Sequence, residues 1–375
     1  MSDKPVVVYG ASGYTGRLIC EYLREHHVPF IAAGRNAATL KAAMEAHVAG
    51  IETADYEIVE VGHDVEALQS LFAGAEVVCN TVGPFAKLGP PAVEACLASG
   101  THYLDTTGEQ DWLITCDEKY GADFAAAGLL LAPGVAHMYT TGEIAAELCL
   151  EHPGLDTLDI AVFWGGSPTI ASTLTILVNA ALAGAYYLEQ NRYVPWDPEA
   201  GLYQLVIPGQ HELALALPWG GTSHPVWYHR DPRVANVKVL GGVFNRPLML
   251  GVPQIVSAAV QATKDLPPDE QYAALTATAA QVMNEMPPRE NPRINKSLDS
   301  VHASGPLGRA HCVIHGNSNY KQTALLQAYA AYSLLQRPPK RAGFASGCQA
   351  FGHRELLGVL SSFGLVREPV VTIGS

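Results

Sequence analysis

Charge is what this chain has least of. Only 16% of its 375 residues are Asp, Glu, Lys or Arg, while 48% are hydrophobic. A disordered chain is excluded, and a large buried core is expected. Lys and Arg number 23 against 36 Asp and Glu, giving a net charge of −13, and no basic run or stripe occurs. Nucleic acid is thereby excluded as the main partner. No CxxC pair occurs, and the seven cysteines are scattered and odd in number. Reduced thiols are expected rather than a disulfide framework. A signal-peptide pattern is also missing, since Met1-Ser2-Asp3-Lys4 leads straight into a strand, and a cytoplasmic location is the expectation. There is no internal repeat and no low-complexity tract.

The first thirty-six residues carry the strongest signal. Val6-Val7-Val8-Tyr9 is a short β-branched run of the kind that forms a buried parallel strand. It runs into Gly10-Ala11-Ser12-Gly13-Tyr14-Thr15-Gly16, after which Leu18, Ile19, Tyr22 and Leu23 recur at helical spacing. Phe30 to Ala33 reads as a second strand, ended by Gly34-Arg35-Asn36. Strand, glycine turn, helix and strand in this order form a dinucleotide-binding pattern. Gly10 and Gly13 let the backbone turn and approach a pyrophosphate, and Gly16 lets the helix lie close on the strand. The helix N-terminus offers free N–H groups to the phosphates. No acid stands at the end of the second strand to bind a ribose 2′-OH. Arg35 stands there instead and offers a cation to a 2′-phosphate, so NADP(H) is the expected cofactor.

Strand and helix signals then alternate. Strands are expected at Tyr56 to Val61, Val77 to Cys79, His102 to Asp105 and Leu129 to Leu131. Helices are expected at Asp64 to Phe72, at Pro90 to Ala98 with both prolines in the first turn and Gly100 as the stop, and at Asp111 to Ala126. After about Glu151 the texture changes to proline- and glycine-punctuated strands at Leu158 to Trp164, Tyr203 to Ile207, His211 to Leu217 and Val237 to Leu240. Ile170 to Tyr187 holds no charge and reads as an apolar helix laid on that sheet. It is too polar, with Ser172, Thr173, Thr175 and Asn179, to make a good membrane span, but peripheral lipid contact stays open. Pro287 to Asn295 reads as a surface loop, and helices resume at Thr323 to Leu335 and Leu356 to Phe363.

Three segments together resemble the saccharopine dehydrogenase-like oxidoreductases, including the bacterial branch that contains trans-acting enoyl reductases. They are Gly10 to Gly16 with Ala33 to Asn36; Asn80 to Phe85, continuing through Gly89, Val93, Ala95-Cys96, Gly100 to Asp105 and Thr107-Gly108-Glu109; and, more weakly, Tyr320 and Thr323 ahead of Ala350-Phe351-Gly352. The resemblance is specific over roughly the first 150 residues. It implies an α/β fold: a Rossmann-type doubly wound parallel sheet, a second α+β domain inserted after it, and C-terminal helices that return to the Rossmann half. The expected bounds are 1–150 for the NADP-binding domain, 151–318 for the α+β substrate or dimerisation domain, and 319–375 for the returning helices. By resemblance Gly10, Ser12, Gly13, Tyr14, Thr15 and Gly16 hold the pyrophosphate, and Arg35 and Asn36 the adenosine phosphate end. Thr81, Val82, Gly83 and Pro84 line the nicotinamide ribose side, and Gly108-Glu109 close the pocket. Asp64 completes the candidate cofactor set. Pro133 to Tyr139 and Gly343 to Cys348 depart from the pattern of relatives, which leaves the substrate open.

A nicotinamide carries hydride, and the protein must supply a proton or polarise the acceptor. Tyr103 and Asp105 flank the end of the fifth strand with Glu109 just beyond, and one of the three is a candidate acid or relay; packing for Tyr103 and turn-capping for Asp105 are the competing readings. His137 and Tyr139, in the loop expected after the sixth strand, are further candidates, against a surface histidine. Tyr320-Lys321 has the wrong spacing for a Tyr–Lys couple. His311 and His315 share a strand face but lack a third ligand, so no metal is expected. The leading expectation is an NADP(H)-dependent reductase of an activated C=C in an apolar, lipid-, terpenoid- or polyketide-like substrate. Saccharopine-type chemistry at an imine or amino acid is the alternative, needing an arginine clamp from Arg230, Arg233, Arg246 or Arg293. A non-catalytic NADP-sensing or lipid-associated scaffold is the alternative from another class. A homodimer through the second domain's sheet or through the apolar helix is compatible with the sequence.

Overall fold

The computed structural model describes residues 3–197 and 200–374. They form two compact units. The first takes the chain up to Thr107, Trp112–Thr140 and Tyr320–Phe363; the second takes Gly108–Asp111, Thr141–Asn319 and the residues from Gly364 on. The change of unit falls at Thr140–Thr141, inside helix His137–Leu150, and not near residue 150. The sequence changes texture only where that helix ends. The residues after Phe363 also differ from expectation, since they count with the second unit.

The strands in chain order are β1 (Val6–Tyr9), β2 (Phe30–Gly34), β3 (Tyr56–Glu60), β4 (Val77–Asn80), β5 (His102–Asp105) and β6 (Leu130–Ala132). There follow β7 (Thr157–Trp164), β8 (Tyr186–Glu189), β9 (Arg192–Pro195), β10 (Tyr203–Leu205), β11 (Ala214–Ala216) and β12 (Asn236–Val243). The last four are β13 (Lys296–Gly305), β14 (Gly308–Asn317), β15 (Gly343–Phe344) and β16 (Val370–Gly374).

The first unit holds a parallel sheet in the order β15-β6-β5-β4-β1-β2-β3. This is the doubly wound order, and it reverses direction between β1 and β4. The run Val6–Tyr9 is buried throughout, as a strand covered on both faces must be. Asn36 and Asp64 start the next two crossover helices: their side chains accept from Thr39 N and Ala67 N. The fourth helix, Phe85–Ser99, begins five residues before Pro90, so both prolines lie inside it and not in its first turn. The carbonyls one turn back, which the proline nitrogens cannot bond, belong to exposed Ala86 and Lys87. Gly100 ends it at φ +72°, a backbone shape that glycine takes without strain. The C-terminal helix Asn319–Gln336 and strand β15 return to this unit.

The second unit is built on the sheet β16-β14-β13-β7-β12-β8-β9. Only β12 and β7 run parallel in it, and β13 and β14 form a ten-residue hairpin from Lys296↔Asn317 to Gly305↔Gly308. The apolar stretch expected as one helix to Tyr187 stops at Leu182, and Tyr186–Glu189 is strand β8. Gly184 breaks the helix, and aromatic Tyr186 and Tyr187 favour the strand. Its buried face meets two helices that periodicity did not reveal, Arg246–Thr263 and Pro268–Val282: Leu174, Leu177 and Val178 cluster with Ala259, Leu275 and Ala279. Among the described residues no helix is long and apolar enough to cross a membrane.

Leu275 is fully buried at the centre of this helical cluster. Leu275→Ala is expected to destabilise the protein by about 2–5 kcal/mol through lost burial and a residual cavity. Urea unfolding of the two proteins checks it.

Candidate functional site

The carboxyl ends of β1 and β4 lie side by side at the reversal of the first sheet, the position where open α/β sheets bind ligands. Gly10 leaves β1 at φ +91°. A Cβ there would sit 2.6 Å from Thr81 Oγ1 and 2.9 Å from Val82 Cγ2. A Cβ on Gly16 would run into the Gly10 carbonyl, and one on Gly13 would lie 3.2 Å from it. These three positions admit no side chain without displacement, so the backbone itself forms the cradle. Gly13 caps helix Tyr14–Glu25 without any side-chain hydrogen bond, and no acid stands in the first turn. The positive helix end therefore stays available to an anion. Ser12, Gly13, Tyr14 and Thr15 are partly exposed around it. Tyr14 meets the edge of Tyr320 at 5.0 Å, which gives Tyr320 a packing role.

At the adenosine end Arg35 is exposed just beyond β2. Asn36 Oδ1 and Asp64 Oδ1, expected as cofactor contacts, hold helix ends at 2.8 Å and 2.9 Å. Capping accounts for both. The sequence reading missed a neighbouring pair: Tyr9 Oη lies 2.7 Å from His63 Nδ1, with the rings stacked. Burial pushes the Tyr9 phenol up to about 12, and burial and then the Arg35 charge hold the His63 imidazole below its usual range. Tyr9 is the last residue of a strand and His63 the third residue past one, so only the sheet brings them together.

At the loop that follows β4, expected to face the nicotinamide, a buried chain of polar groups sets the backbone. Val82 N donates to Asn80 Oδ1 (2.9 Å), Asn80 Nδ2 to Tyr103 Oη (3.0 Å), and Tyr103 Oη to Asp105 Oδ2 (2.9 Å). Asp105 is fully buried and also accepts from Trp112 Nε1, Thr107 N and Gly134 N. Burial still pushes its carboxyl up to about 6. Tyr103 is therefore an interior link and not an exposed acid, and burial raises its phenol well above the usual range. Gln327 from the C-terminal helix donates to the carbonyls of Asp105 (2.7 Å) and Val135 (2.9 Å). Neither Trp112 nor Gln327 stood out in the sequence.

His137 and Tyr139 lie in the first turn of helix His137–Leu150 and not in a loop. Thr323 Oγ1 accepts from His137 N at 3.0 Å, which starts the helix there. The His137 ring is fully buried, and burial lowers it to about 3, so it is neutral and no acid at neutral pH. Tyr139 is partly exposed. Gly108 and Glu109 are buried and are grouped with the second unit, where the Glu109 charge, after burial, raises the phenol of Tyr272. In that segment Gln110 binds Tyr186, Gly221 and Thr222 backbone atoms at 2.7–3.0 Å. His311 stacks on His302 at 3.8 Å and meets Ser300 at 2.8 Å. No group of three potential ligands that could hold a metal is found among the described residues.

Residues 140–375 match a family of unknown function (DUF5938). The chain belongs to that family. Residues 6–127 match the saccharopine dehydrogenase NADP binding domain, so the glycine cradle and Arg35 are those of an NADP-binding domain. A trans-acting enoyl reductase of Mycobacterium ulcerans is 31% identical over 221 residues, 54% of this chain and 47% of that protein. A saccharopine dehydrogenase-like oxidoreductase of Bos taurus is 32% identical over 139 residues, covering 34% and 32%. A lipid droplet localized protein of Caenorhabditis elegans is 30% identical over 136 residues, again 34% and 32%. The chain thus spans about half the length, or less, of the curated relatives it matches.

Arg35→Ala is expected to weaken NADPH binding about tenfold or more while leaving NADH nearly unchanged, as loss of a charge-assisted bond to a phosphate requires. Fluorescence titration with each cofactor checks it, and equal losses would remove Arg35 from the 2′-phosphate. Asp105→Asn puts an NH2 group in place of one carboxylate oxygen, facing donors such as the Tyr103 hydroxyl and the Trp112 indole N–H. It is expected to cost about 1–3 kcal/mol in urea unfolding.

Proposed function

We propose that this protein is an NADP(H)-dependent oxidoreductase that reduces an activated C=C, of the enoyl or enone type, in an apolar substrate. The observation that carries the reading is the side-chain-free cradle of Gly10, Gly13 and Gly16 beside Arg35, at the reversal point of a doubly wound sheet. When bound, the reduced nicotinamide supplies a hydride. The chain must then hold the acceptor and deliver a proton to the adjacent carbon. Of Tyr103, Glu109, His137 and Tyr139, only Tyr139 has appreciable exposure. We assign Tyr139 the proton-donor role on that ground. The loop Thr81 to Pro84, fixed through Asn80, orients the nicotinamide side.

The trans-acting enoyl reductase among the relatives supports a C=C acceptor. Leu182, Leu250, Val282 and Met286, exposed on or beside the helical layer of the second unit, support a lipid-like substrate or peripheral lipid contact. Saccharopine-type chemistry finds less support in the arginines. Arg233 is engaged by Glu147 and Asp231, Arg246 donates to Leu213 O, and Arg293 lies exposed in a loop.

The test is NADPH oxidation against enones, enoyl thioesters and imines. Turnover on an activated alkene is expected, and turnover confined to imines would overturn the reading. Tyr139→Phe should lower kcat about 10²–10⁴-fold with NADPH affinity kept. An unchanged kcat would take the proton-donor role away from Tyr139.

A further inference from the structure

We propose that His63 is a specificity-determining residue of the adenosine end, which takes up a proton as a 2′-phosphate binds and so strengthens the discrimination of NADP(H) from NAD(H). The inference rests on the NADP(H) reading of the site and adds a residue to it.

The geometry comes first. Val61 N bonds Gly34 O at 3.0 Å, so the residues that follow β2 and β3 leave the sheet together. Arg35 follows one of these strands, and His63 the other. Tyr9, beneath the glycine turn, reaches His63 Nδ1 at 2.7 Å. The charges and dipoles acting on His63 are few and can be named. The Arg35 guanidinium disfavours the imidazolium, while Asp64, at the start of the next helix, and the backbone of Leu88, in helix Phe85–Ser99, favour it. Tyr9 contributes a phenol that remains neutral.

The Tyr9–His63 bond survives either protonation state. With His63 neutral, Tyr9 Oη donates to Nδ1. With His63 charged, Nδ1–H donates to the phenol oxygen and the hydroxyl proton turns away. Proton uptake therefore breaks no hydrogen bond. What lowers the His63 pKa is burial first and then Arg35. A 2′-phosphate carries close to two negative charges and neutralises Arg35, which removes one of these two causes and adds an attraction. The bound form then has the higher His63 pKa. By linkage, affinity for the phosphate rises as pH falls through the window between the free and bound values, and the effect is absent well above it. A ligand without the 2′-phosphate brings no such charge to Arg35.

The experiment uses the full chain with adenosine 2′,5′-bisphosphate and AMP as probes, and compares wild type with His63→Gln. The ligand's own phosphate titration is common to both proteins and cancels in the ratio of their affinities. That ratio for the bisphosphate is expected to be about fivefold or more at about pH 6 and close to one at about pH 8.5, with no such change for AMP. A ratio independent of pH would overturn the proposal. Calorimetry of wild type alone, in buffers of different ionisation enthalpy, guards against a variant that misfolds. Net proton uptake on binding the bisphosphate at about pH 7.5, where the ligand's phosphates are already almost wholly dianionic, supports the proposal, and none overturns it. Equal binding of AMP and the bisphosphate by wild type at both pH values would instead overturn the 2′-phosphate reading of Arg35, a distinguishable failure.

Discussion

A carboxylate without solvent contact holds the first unit's ligand edge together. Asp105 gathers a backbone N–H from its own turn, another from the loop after β6, a phenol and an indole. A buried charge left unpaired would cost several kcal/mol, and four donors offset that. Its backbone carbonyl is occupied as well, by Val135 N and Gln327 Nε2. One residue thus fixes the ends of β5 and β6, the start of the helix that carries Trp112, and the returning C-terminal helix. Through Tyr103 and Asn80 the same network reaches Val82, on the loop that follows β4. That loop is positioned by interior hydrogen bonds.

The adenosine end is arranged differently. There the determinants sit at the rim: an exposed arginine, two helix caps and a half-buried imidazole tied to a buried phenol. On the proposed reading, discrimination between cofactors rests on charge at this rim, and affinity for the common part of the dinucleotide on backbone N–H groups and on the absence of side chains at three glycines.

What the sequence made legible was short in range. Strand β1, the glycine turn, the first helix and Arg35 lie within thirty-six residues, and each follows from local spacing. The alternation that predicts a doubly wound sheet is likewise local. Tyr103 and His137 became candidates on residue type alone, and the sequence did not show that both are buried. Gln327 reaches Asp105 across 222 residues, a pairing that no window of sequence contains. Tyr9 and His63, 54 residues apart, meet only because β1, β2 and β3 are neighbours. Helices Arg246–Thr263 and Pro268–Val282 escaped notice because Gly251, Pro253 and a run of small residues blur their apolar stripe.

The order of the chain has a consequence for its synthesis. When the first 150 residues have left a ribosome, β1 to β6 are present, but β15, which lies beside β6, and Gln327, which ties the end of β5 to the loop after β6, are still to come. During that interval β6 presents an open strand edge, a template for pairing with another nascent chain. Residues 141–318, most of the second unit, must be translated before residues 319–344 close that edge. Slow elongation or a stall within the insertion would lengthen the exposure. The chain's vulnerability to aggregation is therefore set by the length of an insertion that is not part of the nucleotide-binding sheet.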